Sequence, residues 1–150
     1  MNGFKGIKVD DPVWVVYDRN YKTRDGVVDL ELVKGSVLCN RKEKREIHSS
    51  DYWDDSVRVV YETYMEIKVD AFDTVYSGYL PNSSMQRGCQ IMFPDFSSNS
   101  PEITVYASED DAKNAIVSYN EDRICVLKKK IKDIENEISI KEESLHRVTV

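Results

Sequence analysis

The chain has 150 residues, 41% of them hydrophobic and 32% charged, with nine tyrosines, two tryptophans and a formal net charge of −6. Such a length makes one domain with room for an appendage, and such a composition excludes wholesale disorder. The negative balance argues against a protein whose task is to coat nucleic acid, because phosphate binding needs a positive surplus; a solvated acidic surface accounts for it without invoking a DNA mimic.

The opening Met1-Asn2-Gly3-Phe4-Lys5-Gly6 has no apolar core of signal-peptide length. No later segment approaches the roughly 20 apolar residues that a membrane span needs. Cys39, Cys89 and Cys125 are odd in number and widely separated. Together these features predict free thiols in a reducing cytoplasm rather than a disulfide framework. Asn82-Ser83-Ser84 fits a glycosylation pattern, but in that setting it is a polar turn.

In chain order, Asp11-Pro12-Val13-Trp14-Val15-Val16-Tyr17 is a β-branched and aromatic run entered through a proline, the pattern of a first strand. Asp25-Gly26 marks a turn, and residues 27–33 alternate well enough for a second strand. Lys34-Gly35 punctuates before the short run Ser36-Val37-Leu38-Cys39. The most regular strand is 57–69: Val57, Val59, Tyr61, Met65, Ile67 and Val69 share one face, and Arg58, Glu62, Glu66 and Lys68 the other. That alternation predicts one core face and one wet face, with a bend or bulge partway along so long a strand. Apolar runs at 74–80, 89–93 and 102–106 follow, separated by the loop compositions 81–84 and 94–101.

The expected architecture is α+β: residues 1–107 form a small antiparallel β-barrel or strongly bent sheet of six to seven strands, followed by a C-terminal helical segment, 108–150. The opening strand resembles that of an SH3-like or Tudor-like barrel, a resemblance of architecture that implies no family membership.

Ser108 is suited to cap a helix, with Asp111 three residues on and Glu109, Asp110 and Asp111 at the positive end of the helix dipole. Ala112, Ile116 and Tyr119 make one apolar stripe. Further on, Ile124, Leu127, Ile131, Ile134, Ile138 and Leu145 are spaced 3, 4, 3, 4 and 7 residues apart, the a/d seam of a coiled coil. Extended backwards, that seam runs through Val117 and Asn120, out of phase with the first stripe. The mismatch predicts either a stutter or a break near Tyr119-Asn120, the preferred reading being a helix 108–119 docked on the β domain and a second helix 121–145.

Within 121–145, Lys128, Lys129, Lys130 and Lys132 precede Glu135, Glu137, Glu142 and Glu143. A parallel in-register dimer would pair Arg123 with Lys128, Lys130 with Glu135 and Glu137 with Glu142, so that two of the three pairs are like-charged. An antiparallel arrangement instead sets the basic half of one helix beside an acidic half. The tail is therefore read as an antiparallel self-association or protein-docking device; an amphipathic helix folded back on its own domain is the plainer alternative. Isoleucine at both a and d positions leaves higher stoichiometries open.

Chemistry-bearing patterns are sparse. His48 lies in a polar stretch and His146 near the chain end, so neither is held as a general base, and a Cys39/His48 nucleophile pair has no local support. No Walker A loop, dinucleotide fingerprint or zinc-ligand spacing occurs. No cofactor or metal is therefore expected. Asp51, Asp54 and Asp55 around Tyr52-Trp53 could hold a divalent cation for a hydrolase, although such a segment more often forms a loop pinned by its aromatics. Arg41-Lys42-Glu43-Lys44-Arg45 is the one basic run of the β region. Read as a loop with His48, Tyr52 and Trp53, and with Arg87 from a second polar loop, it could grip a nucleotide or a single strand by phosphate contacts and stacking. Read structurally, it is a solvated hairpin loop.

The sequence thus points first to a non-enzymatic interaction or regulatory protein that oligomerises or docks on a partner through its tail. A binder of nucleotides or short oligonucleotides through 41–55 is the alternative, and a metal-dependent hydrolase comes last. Compact size, acidic charge and an appended helix are also the build of small phage-encoded inhibitors of host machinery, a likeness of style that no motif carries.

Overall fold

The computed structural model describes residues 4, 6–23, 26–48, 53, 56–72, 74–81, 90–93 and 100–149. It is an α+β protein with strands β1 (Pro12–Asp18), β2 (Leu30–His48), β3 (Val57–Val69), β4 (Val75–Pro81), β5 (Gln90–Phe93) and β6 (Ile103–Tyr106), followed by one helix, α1 (Glu109–Thr149). The strands form one sheet in the order β4-β3-β2-β1-β6-β5, every pairing antiparallel. The helix crosses the boundary between two compact units, Met1–Asn114 and Ala115–Val150.

Alternation along the strands selects the core. Val13 and Val15 of β1, Val37 of β2, Met65, Ile67 and Val69 of β3, Tyr76 of β4, Phe93 of β5 and Ile103 and Val105 of β6 pack into one cluster, which Phe4 joins from the N-terminal segment. Full burial of side chains of this size stabilises the fold by about 1.5–3 kcal/mol each relative to exposure.

The sheet is bent, not closed into a barrel: among the described residues no ladder joins its edge strands β4 and β5. Side chains hold the edges near each other instead. The Tyr76 and Phe93 rings meet edge-on at 6.4 Å, the Tyr76 hydroxyl donates to the Pro101 carbonyl at 2.8 Å, and the Thr74 and Ser100 hydroxyls lie 3.0 Å apart.

The β1–β2 connection is fixed by Asp18, whose Oδ1 accepts from the Asn20 N–H at 2.9 Å and from the Asp29 N–H at 3.0 Å. Short carboxylates that capture nearby backbone donors are what turn residues supply. β2 therefore starts at Leu30, later than residue 27, and Val27 and Val28 stay exposed.

Two further expectations are corrected. The strand β2 is a single run of 19 residues that absorbs the short run 36–39, and the basic run 41–45 is part of the same strand instead of the expected loop. The register shift expected in β3 lies in the facing strand, between Val37 and Cys39 opposite Ile67 and Glu66. The extra residue, Leu38, is pushed outward and exposed, and beyond it the alternation of β2 is reset.

Ser108 caps α1 as its sequence suggests: its Oγ accepts from the Asp111 N–H at 3.4 Å, and its carbonyl from the Ala112 N–H at 3.2 Å. Glu109 pairs with Lys113 one turn on, at 3.1 Å. The helix then runs through Tyr119-Asn120 without the expected break. Among the described residues no helix is long and apolar enough to cross a membrane.

Candidate interaction surfaces

In Met1–Asn114 the most distinctive surface is an arm. The strand β1 covers β2 only from Leu30 to Ser36, and β4 covers β3 only from Glu62 to Lys68. Beyond these limits residues 44–48 of β2 and 57–61 of β3 pair only with each other, so the far end of the pair is a two-stranded ribbon among the described residues.

One face of the arm continues the core face of β3. Thr63, Met65, Ile67 and Val69 are buried, whereas Val57, Val59 and Tyr61 on the same side are 47%, 43% and 63% exposed. The expectation that all of this face is core therefore holds only for its second half: the covering strands stop too soon. Opposite these residues stand His48, Glu46, Lys44 and Lys42, paired in register with Val57, Val59, Tyr61 and Thr63. Lys42, Lys44 and His48 are exposed.

The reverse face holds a ladder of guanidinium groups, tyrosines and carboxylates. Glu43 and Glu62 face each other directly across the pair, an arrangement that like charges disfavour. Two arginines resolve it. Arg41 Nε reaches Glu43 at 2.5 Å and Arg45 Nη1 reaches Glu62 at 2.7 Å, and these hydrogen bonds push both guanidinium pKa values further up. The same guanidinium groups lie over rings, Arg41 over Tyr64 at 4.5 Å and Arg45 over Tyr79 at 4.3 Å, close enough for cation–π attraction. The two rings are 5.1 Å apart, and the Tyr64 hydroxyl donates to Glu66, which raises its pKa.

The residues of the nucleotide-gripping constellation are therefore divided. Arg41 and Arg45 lie on the reverse face with their charges matched by carboxylates, while Lys42, Lys44 and His48 lie on the apolar face. Trp53 is 88% exposed in a turn. Tyr52 and Arg87 lie outside the described residues, as do Asp51, Asp54 and Asp55. Among the described residues no group of three or more His, Cys, Asp or Glu side chains is placed to hold a metal ion. Cys39 and His48 sit on one extended strand, which at its usual rise separates them by roughly 30 Å, too far for a nucleophile and its base. Cys39 and Cys125 are free thiols. Tyr64, Tyr79 and Glu62 were not singled out from the sequence, because their grouping with the arginines depends on strand pairing; the charges of Arg58, Glu62 and Glu66 marked only a wet face.

In Ala115–Val150 the surface is a helical seam. Ile124, Leu127, Ile131, Ile134, Ile138 and Leu145 are between 42% and 64% exposed. Val117 extends the seam towards the N-terminus and Val148 towards the C-terminus, with Asn120 and Lys141 as its polar members. Ala112 of the first unit is fully buried, Ile116 is half-buried, and Tyr119 is 39% exposed, so burial along the first stripe declines with distance from the helix start.

No protein-family model, curated protein or solved structure matches the chain.

Proposed function

We propose that this chain is a non-enzymatic interaction protein that pairs with a second copy of itself through α1, the two helices lying antiparallel as a coiled coil, while the β unit carries the surface offered to other molecules. One observation carries the reading: six large aliphatic side chains repeat at a/d spacing along an unbroken 41-residue helix and remain about half exposed. In proteins most helical stability comes from covering an apolar face rather than from intrinsic propensity. The order of charges, lysines at 128–132 and then glutamates at 135–143, favours a second copy running in the opposite direction. The test is sedimentation equilibrium on the full chain. The expected mass is twice 17.4 kDa, and it falls to the single-chain value in the Ile131→Asp, Ile134→Asp double variant. An intact chain that stays at single-chain mass at every concentration overturns the reading.

A second reading, binding of a nucleotide or short single strand to the arm, is favoured by the placing of Lys42 and Lys44 beside exposed Tyr61, with His48 further along the same face. Stacking on a tyrosine with lysines for the phosphates is a workable recognition scheme. Thermal-shift titration with short single-stranded DNA and RNA tests it; a shift that survives Lys42→Glu with Lys44→Glu counts against the arm.

A further inference from the structure

We infer that the helix pairing has one preferred register, in which Ile131 packs against Ile134 of the second copy and Leu127 against Ile138 of the second copy, each contact occurring twice about a dyad between Lys132 and Asp133. The inference rests on the self-association proposed above and adds to it the identity of the facing residues.

In an antiparallel pair an a position faces a d position, so sliding one helix past the other in steps of seven residues generates the possible alignments. The helix is continuous from Glu109 to Thr149, so one heptad frame holds throughout the seam. The centred alignment makes the middle layers wholly aliphatic. It sends the polar seam positions to the flanks: Lys141 meets Ile124 of the second copy, and Asn120 meets Leu145 of the second copy.

Flanking charges decide among the alignments. In the centred one, Lys130 lies beside Glu137 of the second copy and Lys128 beside Glu135 of the second copy, again each twice. The one like-charged pair, Glu121 with Glu142 of the second copy, sits at the end of the contact next to Lys141, whose long stem allows its ammonium to reach out of the seam. Moving one heptad towards the N-terminus sets Lys128 against Lys128 and Lys130 against Lys130 across the dyad. Moving one heptad the other way sets Glu135 against Glu135 and Glu137 against Glu137, and brings Lys141 against the central Ile131. Both shifts exchange attraction for repulsion at the dyad, where no end of the helix can fray to relieve it.

The test uses full-length chains carrying Lys130→Glu or Glu137→Lys. Each variant alone turns two attractive contacts into repulsive ones, and the expected result is dimerisation weakened about tenfold. Mixing the two variants restores opposite charges at both contacts, so native mass spectrometry with one variant isotopically labelled should find the mixed dimer well above the statistical half. A mixed dimer at the statistical fraction overturns the register. So does a Glu137→Lys variant that dimerises more tightly than the intact chain, the result expected of a parallel pair, where residue 137 lies beside Glu142. An intact chain found only as single chains overturns the self-association itself, so the two failures are distinguishable.

Discussion

Gly35 of β2 has no room for a side chain. A Cβ there would stand 2.8 Å from the Lys68 carbonyl oxygen and 3.3 Å from methyl groups of Val13 and Val15, and none of these is the loose end of a flexible side chain. Gly35→Ala should therefore cost about 1–3 kcal/mol in denaturant unfolding, the range for overpacking a tight site. At Gly78 the nearest atom is a Phe93 ring carbon at an ordinary 3.5 Å, so Gly78→Ala serves as the near-neutral control. A second single-residue effect concerns Tyr17, which donates to Glu31 and touches the rings of Tyr21 and Phe72. Burial first, and then the hydrogen bond to Glu31, push its pKa from 10.0 up to about 12. The folded state thus holds the phenol proton more tightly than the unfolded chain does. The resulting stability is fully present below pH 10.0 and is lost as the pH rises through about 12. Unfolding measured across that range should show the loss in the intact chain, and Tyr17→Phe should flatten it.

Within the elements, β3 carries a core half and a bare half on the same face. Met65→Ala in the covered half should cost about 2–5 kcal/mol, whereas Val59→Thr in the arm should change stability by no more than about 0.5 kcal/mol; equal effects would mean that the arm face is covered. This contrast also marks how far the sequence is informative. The period-two run of β3, the Ser108 cap and the aliphatic seam of α1 are local patterns, and the structure contains each of them. The length of β2 was hidden because Arg41-Lys42-Glu43-Lys44-Arg45 has the composition of a loop. Its strand state comes from thirteen paired positions with β3, a long-range property. Likewise the half-exposure of Val57, Val59 and Tyr61 depends on where β1 and β4 stop, and the Arg41–Tyr64 and Arg45–Tyr79 stacks depend on register. The lysines of β2 beyond Ser36 lie on an edge that no strand covers among the described residues, and charged edge strands resist pairing with other chains.

For the whole molecule, the division into Met1–Asn114 and Ala115–Val150 has a thermodynamic signature once α1 self-associates. The stability of an associating element depends on protein concentration, while that of a unit folded on its own core does not. Helical circular dichroism should therefore melt at a temperature that rises with concentration, and near-ultraviolet signals from the tyrosines of the β unit should melt at a fixed one. Coincident, concentration-independent melting would contradict the proposed pairing. In the antiparallel register the two Ala115 residues, the starting points of the helical units, lie about 50 Å apart along the helix axis.

The strand order also predicts a sequence of events during synthesis. Strands β1 to β4 neighbour one another in chain order, so each can pair as it emerges, but β6 must return to β1, joining Trp14 to Tyr106 across most of the β unit. Closing so long a loop carries a larger entropic cost than zipping β2 onto β3, and nascent chains pair local segments first. Until residues 103–106 arrive, the free edge of β1 is an open template beside Val13 and Val15. Pulse-labelled hydrogen exchange during refolding should protect the β2–β3 amides before those of β1 that face β6. Chains halted before Ile103 should be the ones that aggregate.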